Sequence, residues 1–527
     1  MYRVLVAEKI AASGIDLLKE EFEVEVKTDL TPEQLVAEIP GYHGLIVRSA
    51  TRATREVIEA GTDLKIIGRA GVGIDNVDVT AATERGIIVC NAPTSNIVSA
   101  AEHTVALMLS MARNIPQANA SMKEGKWERS KFTGTELYEK TLAIFGLGRI
   151  GSLVAERVRP FGVRMIGFDP YTSPEKAQAM GVELIDDIDE ILAQADFITV
   201  HLPKTKETIG MFGPDQFAKM KDGVRLINTA RGGIYQTEAL AEALRSGKVK
   251  GAAVDVYEVE PCTDSPLIEF GNAILTPHLG ASTAEAQDRA GEQIAEYVGA
   301  GLRGEMVPTA VNIAPVPPEV YEKVGPFIGL SESLGRILAQ TAKTGIESME
   351  IMCIGTLAET DTRILKTAVL KGLLSVIGAE SVNFVNADYY AEQRGIKVVE
   401  SKRAETHDYV AMVLVKTETP EGDLEIGATL IGKKNEPLLV SLYGFDLDMQ
   451  PSGHMSFFLY EDRPGMIGKV GTILGKNAVN IAAMQVGRKK MGGSALMGIN
   501  VDTPVPDDVL QQIVAEAGIE KAWSVEL

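Results

Sequence analysis

The stretch TLAIFGLGRIGSLVAERV, residues 141–158, limits the fold of this chain more than any other. An apolar run ends in Gly146, Leu147 and Gly148, passes through Arg149 and Ile150 to Gly151, and becomes an amphipathic helical pattern. A strand that turns so quickly into a helix opens a βαβ unit. Gly146 permits the tight turn, Gly148 lets backbone approach a pyrophosphate, and Gly151 lets helix and strand pack closely. The helix N-terminus offers free N–H groups and a positive dipole end. The next strand, RMIGFDP, ends in Asp169, 18 residues after Gly151. A carboxylate there accepts from a ribose 2′-OH and repels a 2′-phosphate, so NAD is expected rather than NADP.

Around this unit, short apolar strands alternate with helical stretches from residue 1 to about 300. That alternation is the signature of α/β folds with parallel sheets. RVLVAE, GLIVRS and LKIIGRAG form a first series, and a long helix over IVSAAEHTVALMLSMARN leads to a second. The second series counts six strands, enough for a dinucleotide-binding sheet. Prolines in VNIAPVPPEV mark a boundary near residues 312–320, beyond which helices alternate with a mixed or antiparallel sheet.

At ~150 residues per domain, 527 residues suggest three or four domains. The formal charge of −20 repels nucleic acid and anionic membranes, so an anionic substrate needs a local cationic cluster. No apolar run reaches the roughly 18–20 residues that span a bilayer. The N-terminus reads as a strand rather than a signal peptide. Three scattered cysteines, Cys90, Cys262 and Cys353, fit neither a disulfide framework nor a metal site. A reducing cytoplasm and no metal are the expectation.

Ligands of an open parallel sheet bind beyond the carboxyl ends of its strands. RLINTARGG delivers Arg231 there, AAVDVYEVEP delivers Glu260, and AILTPHLG delivers His278. An imidazole can take a hydroxyl proton during oxidation and return it during reduction. A carboxylate orients that ring, and a guanidinium offers a planar fork to an α-carboxylate. Arg48, Arg52 and Arg55, with Ser49 beside them, form a candidate phosphate seat. Gly71 and Gly73 make a turn whose amides suit a carboxylate, and Asn96 can bond substrate or cap the long helix.

The order GLGRIG, NTARGG, DVYEVEP and LTPHLGAST resembles the D-isomer-specific 2-hydroxyacid dehydrogenase family. The resemblance implies that Arg231 binds substrate, Glu260 supports the histidine and His278 is the acid/base. It implies NAD contacts from Gly146, Gly148, Arg149, Ile150, Gly151, Asp169, Leu202, Thr229, Ala230, Arg231, Asp255, His278, Gly280 and Val72. Substrate contacts fall on Arg48, Ser49, Gly73, Asn96, Arg231 and His278. It also implies two parallel-sheet lobes, Rossmann-like and flavodoxin-like, facing each other across a cleft. Residues 1–97 and 282–310 would form the substrate lobe, and 98–281 the NAD domain.

The segment YEDRPGMIGKVGTILGKNAVNIAAMQVGRK resembles an ACT domain, a ferredoxin-like βαββαβ module that binds amino acids. Residues 454–527 would be that module, and 311–453 an α+β intervening domain similar to allosteric substrate-binding domains. A dehydrogenase carrying both resembles the long phosphoglycerate dehydrogenase branch of the family. The implied substrate is 3-phosphoglycerate. L-serine is the implied effector, held at a subunit interface by Tyr460, Asp462 and Asn480 in a homo-oligomer, a tetramer in the family. The rival enzyme, a glyoxylate or hydroxypyruvate reductase, shares the Arg/Glu/His set but needs no such tail.

Overall fold

The computed structural model describes residues 1–342, 345–378, 382–406, 408–420 and 422–527. Near the N-terminus, five short strands form a parallel sheet in the spatial order Glu23–Val26, Arg3–Val6, Gly44–Val47, Ile66–Arg69, Ile88–Asn91. This is the 2-1-3-4-5 order of doubly wound flavodoxin-like sheets. Three of the strands were legible in the apolar runs, whereas Glu23–Val26 and Ile88–Asn91 were not. Glu23–Val26 reads EVEV and is largely solvent-facing at the sheet edge, so it carries no apolar run.

The second sheet has seven parallel strands rather than the expected six. Its order is Ala273–Leu275, Val249–Val254, Val224–Asn228, Phe197–Val200, Thr141–Phe145, Arg164–Phe168, Val182–Leu184. Read from Thr141–Phe145, the first six follow the doubly wound 3-2-1-4-5-6 arrangement, and the seventh extends the edge. The unforeseen strand is Val182–Leu184, three residues at the opposite edge with a glutamate in the middle, too short to show a period.

The helix Ile97–Ala112 runs along the second sheet, burying Leu107, Met108 and Met111. After the last strand, the helix Ala284–Arg303 returns to the first sheet. There Ile294 and Val298 pack over Gly68, where an added methyl would come within 2.6 Å of Val298. Gly14 and Gly291 cross so closely that a methyl on Gly14 would lie 2.4 Å from the Gly291 carbonyl oxygen. The chain then docks on the edge strand of the first sheet. Val311 N–H donates to the Val89 carbonyl, and the Asn312 side chain accepts from Val89 N–H and donates to the Ile87 carbonyl. The proline-marked boundary is therefore anchored at its start.

Beyond it, helices Pro318–Thr341 and Arg363–Val376 pack on a six-stranded sheet. Ser348–Gly355 pairs parallel with Lys397–Arg403, while the remaining pairings, through Ala411–Glu418, Leu424–Ile431, Glu436–Leu442 and Phe445–Met449, are antiparallel. The mixed sheet was expected, but Lys397–Arg403 and Phe445–Met449 were not. Both mix charged residues with small or apolar ones at sheet edges, so neither shows an apolar run. The Asn383 amide donates to the Gly86 carbonyl, joining this unit to the first sheet's surface.

The last unit is a four-stranded antiparallel sheet ordered Ile481–Arg488, Ser494–Val501, His454–Glu461, Lys521–Glu526, with helices Met466–Lys476 and Asp507–Ala517. This is the expected βαββαβ module. Its side chains alternate between two faces. Phe458 and Tyr460 pack under the module's own helices. Phe457, Leu496 and Trp523 belong instead to the core of the preceding unit. Trp523 stacks on Phe457 at 5.4 Å between ring centroids, and its indole N–H donates to Thr341.

Candidate active site

The glycine turn is built as a phosphate cradle. Gly146 sits at φ +91°, a conformation that favours glycine, and its N–H donates to the Phe168 carbonyl. A methyl on Gly151 would lie 2.0 Å from the Gly146 carbonyl oxygen. Gly148 caps the helix Arg149–Val158, and a methyl there would meet nothing within 4 Å. Open space above Gly148, together with helix N–H groups that no side chain caps, fits a pyrophosphate. Asp169 stands beside the turn, accepting from Leu147 N–H at 2.7 Å and Tyr171 N–H at 2.8 Å. Leu202 packs against the same turn, 3.2 Å from a methyl built on Gly146.

Beneath the turn lies a residue that the sequence reading passed over. The His201 imidazole contacts the Thr199 hydroxyl at 3.0 Å, and burial pushes its pKa down to about 4. It is a neutral packing group under the glycines at ordinary pH.

The neighbouring strands Val224–Asn228, Val249–Val254 and Ala273–Leu275 end at the same side, and the three proposed catalytic side chains follow them. His278 Nδ1 lies 2.7 Å from Glu260 Oε2. Glu260 also accepts from Tyr257 N–H at 3.0 Å. Partial burial pushes the Glu260 carboxyl up, but the His278 contact and the Tyr257 amide outweigh it and hold it below the usual carboxylate range. His278 takes φ +55°, an uncommon conformation for a non-glycine residue. The turn is fixed by Asp255, fully buried, whose carbonyl accepts from His278 N–H and whose carboxylate accepts from Leu279 N–H, Gly280 N–H and the Thr276 hydroxyl.

Arg231 reaches towards the other sheet. Its Nε lies 3.7 Å from Asp75, and a methyl on Gly73 would meet its Nη2 at 2.9 Å. Ala230 N–H donates to the Asn228 side chain, and Thr229 shares a hydroxyl contact with Thr104 of the long helix. Val72 lies in the facing turn, where its carbonyl accepts from Asn91.

Arg69 is the second residue missed. It ends the strand Ile66–Arg69, and its Nε is buried with no partner among the described residues. Burial, with Arg231 and Arg48 nearby, pushes its pKa down to about 10 despite Glu8 and Asp75. The Asn96 side-chain oxygen is likewise buried and unpartnered. A buried guanidinium N–H with no hydrogen-bond acceptor is costly, and an anionic ligand is one group that could satisfy it. Only its place was legible, an arginine that ends the run IIGR at the carboxyl end of a parallel strand.

The proposed phosphate seat is smaller than the arginine cluster suggested. Arg55 turns away to Glu84, at 2.6 Å. Glu8 already takes the amides of Arg48, Ala50 and Thr51, so only the side chains of Arg48 and Ser49 remain of this part of the candidate seat. Arg48 donates to the Lys9 carbonyl at 3.2 Å.

In the C-terminal module the three effector residues do not meet within one chain. Asp462 N–H donates to the Gly493 carbonyl just before the strand Ser494–Val501, and its carboxylate pairs with Arg488 at 3.3 Å. Asn480 donates to Asp502 just after that strand. The full strand between Gly493 and Asp502 separates the two contacts by about 30 Å, at ~3.4 Å per residue. Tyr460 is buried on the helix side of the sheet.

Residues 105–280 match the NAD-binding domain of D-isomer specific 2-hydroxyacid dehydrogenases, and the chain is an NAD-dependent dehydrogenase of that class. Residues 323–442 match the D-3-phosphoglycerate dehydrogenase intervening domain, and 457–518 the ACT domain. D-3-phosphoglycerate dehydrogenase of Methanocaldococcus jannaschii is 46% identical over 97% of this chain and 97% of its own. That of a Synechocystis strain is 44% identical over 100% of this chain and 95% of its own. The chain belongs to the D-3-phosphoglycerate dehydrogenase family. A glyoxylate reductase structure from Paecilomyes thermophila, 30% identical with a TM-score of 0.54, covers 98% of that protein but only 59% of this chain.

Proposed function

We propose that this chain oxidises 3-phospho-D-glycerate at C2 to 3-phosphohydroxypyruvate, the entry into serine synthesis, under feedback inhibition by L-serine. The observation that carries the reading is the His278–Glu260 pair standing where Arg231 and Arg69, whose buried Nε has no acceptor, supply positive charge in a chain of net charge −20. NAD, when bound, supplies the hydride acceptor. Gly146, Gly148, Arg149, Ile150 and Gly151 would hold its pyrophosphate, and Asp169 its ribose. Leu202, Val72, Thr229, Ala230, Asp255 and Gly280 would line the remainder.

The proton is handled by this chain. With Nδ1–H donated to Glu260, His278 keeps the lone pair of Nε2 for the C2 hydroxyl proton. The imidazolium so formed is stabilised by the Glu260 carboxylate. Arg231 and Arg69 hold the substrate carboxylate against the Gly73 turn, with Asn96 beside them. Arg48 and Ser49 meet the phosphate. In this reading residues 1–97 with 282–310 form the substrate lobe, 98–281 the NAD domain, 311–453 the intervening domain and 454–527 the regulatory domain.

The separation of Asp462 from Asn480 supports an effector site made by two chains, Asp462 and Tyr460 from one and Asn480 from its partner. A homo-oligomer follows. No helix among the described residues is long and apolar enough to cross a membrane. The test is NADH absorbance with NAD and 3-phosphoglycerate, followed by an L-serine titration. Turnover suppressed by serine is expected. Turnover without a serine effect removes the role of Tyr460, Asp462 and Asn480, and reduction of glyoxylate in place of phosphoglycerate oxidation overturns the substrate.

A further inference from the structure

His103 lies on the helix Ile97–Ala112, outside every motif that identifies the site. Its Nε2 is 3.2 Å from Asp255 Oδ1 and 3.4 Å from the Thr276 hydroxyl, and its side chain is 19% exposed. Asp255 is fully buried, so its charge needs donors close at hand. Burial pushes the Asp255 carboxyl up, yet the His103 contact, the Thr276 hydroxyl and the Leu279 amide hold it below the usual carboxylate range. Of those three, Thr276 and Leu279 belong to the turn that carries His278. His103 alone comes from another element, one that starts at Asn96 in the proposed substrate cleft.

The connection to the chemistry runs through two short links. The Asp255 carboxylate holds the amides of Leu279 and Gly280, at 2.8 and 2.9 Å, and its carbonyl holds the amide of His278. His278 is kept at φ +55° by those bonds, a conformation that relaxes when they loosen. A ring that must meet a hydroxyl proton within hydrogen-bond reach tolerates little displacement.

We propose that His103 is a positioning residue for hydride transfer, fixing the Asp255 carboxylate so that the turn behind it presents the His278 ring at the height the reacting carbon requires. The proposal rests on the reading of His278 as the acid/base. His103 touches neither substrate nor cofactor in this scheme. It links the long helix to the turn, so that the Asn96 end of the helix and the imidazole share one anchor.

The experiment compares the full-length enzyme with His103→Leu and His103→Gln, using 3-phosphoglycerate and its 2-deuterated form. Leucine removes the donor, whereas a glutamine amide reaches about as far as Nε2. In His103→Leu, kcat falls about tenfold and the deuterium isotope effect on kcat rises, because the hydride step becomes limiting, while both KM values stay within about threefold. His103→Gln restores kcat to within about threefold of the parent. Should the leucine variant not fold, His103→Asn, which is too short to reach Asp255, carries the same expectation against glutamine. Unchanged kcat in His103→Leu overturns the proposal. So does a loss of NAD affinity with no change in isotope effect, which would have His103 acting on the cofactor through Asp255 and not on the His278 turn. His278→Asn, assayed alongside, separates the two readings: if it turns over normally the acid/base assignment fails, and if it is inactive while His103→Leu is fully active only the His103 proposal fails.

Discussion

Two glycines three residues apart in the phosphate turn offer a sharp test of what that turn binds. A methyl on Gly151 would sit 2.0 Å from the Gly146 carbonyl oxygen, a backbone atom that cannot swing aside. Helix and strand would have to part by more than 1 Å, and overpacking of this kind costs typically ~1–3 kcal/mol. Gly151→Ala should therefore lower the melting temperature of the cofactor-free enzyme by several degrees and weaken NAD as well. Gly148 is the opposite case. Its backbone, at φ −66° and ψ −160°, suits any residue, and a methyl there touches nothing within 4 Å. Gly148→Ala should leave the cofactor-free melting temperature within a degree. The same methyl projects into the space assigned to the pyrophosphate. Pushing the phosphates off their amides costs a charge-assisted hydrogen bond, roughly 1.5–3 kcal/mol, or about 10- to 150-fold in Kd. Thermal melts without cofactor and calorimetric titration with NAD measure both effects. Normal NAD affinity in a folded Gly148→Ala enzyme would refute the placement of the pyrophosphate at this helix.

Arg231→Lys should raise the KM for 3-phosphoglycerate by at least tenfold while NAD affinity changes little, since an ammonium cannot replace the planar fork; steady-state kinetics with each substrate varied will tell. Asp169→Ala should narrow the preference for NAD over NADP, read as the ratio of the two kcat/KM values, because the repelling carboxylate is gone. Glu260→Gln should cut kcat at least tenfold without altering the melting temperature by more than a few degrees, as the half-exposed pair matters to the imidazolium rather than to the fold. His201, whose folded pKa is about 4, binds its proton less readily than the unfolded chain does at ~6.5. Stability should fall as pH drops from about 6.5 to 4, by roughly 2–3 kcal/mol from this group, and His201→Asn should flatten that part of the melting profile.

What could be read from the residues follows a physical rule. The glycine turn, Asp169, Arg231, Glu260 and His278 were legible because each is tied to a strand end by local sequence, and strands buried on both faces announce themselves as apolar runs. Two of the edge strands do not: Glu23–Val26 and Val182–Leu184 carry charges, and only pairing with a neighbour makes them strands. Arg69 stayed hidden because its meaning lies in what surrounds it, a buried guanidinium facing Arg231 from another sheet. Arg55 misled for the same reason, since its adjacency to Arg48 in sequence says nothing of the Glu84 that claims it.

The sheet of the C-terminal module is covered on both faces, by its own helices on one and by the preceding unit on the other. Phe457, Leu496, Trp523 and Val525 sit in the neighbour's core, and Gln340 ties the helix Pro318–Thr341 to Glu526. The module therefore has no hinge at its own door. Whatever an effector does to the module must carry the intervening unit along like the handle of a lever. The covalent link to the first lobe is the proline-rich span from Asn312 to Pro317, and the Asn383 bond to Gly86 is a second tie across the same junction. Protease should cut there before it frees the C-terminal module, and stiffening that span should uncouple the effector while leaving its binding intact.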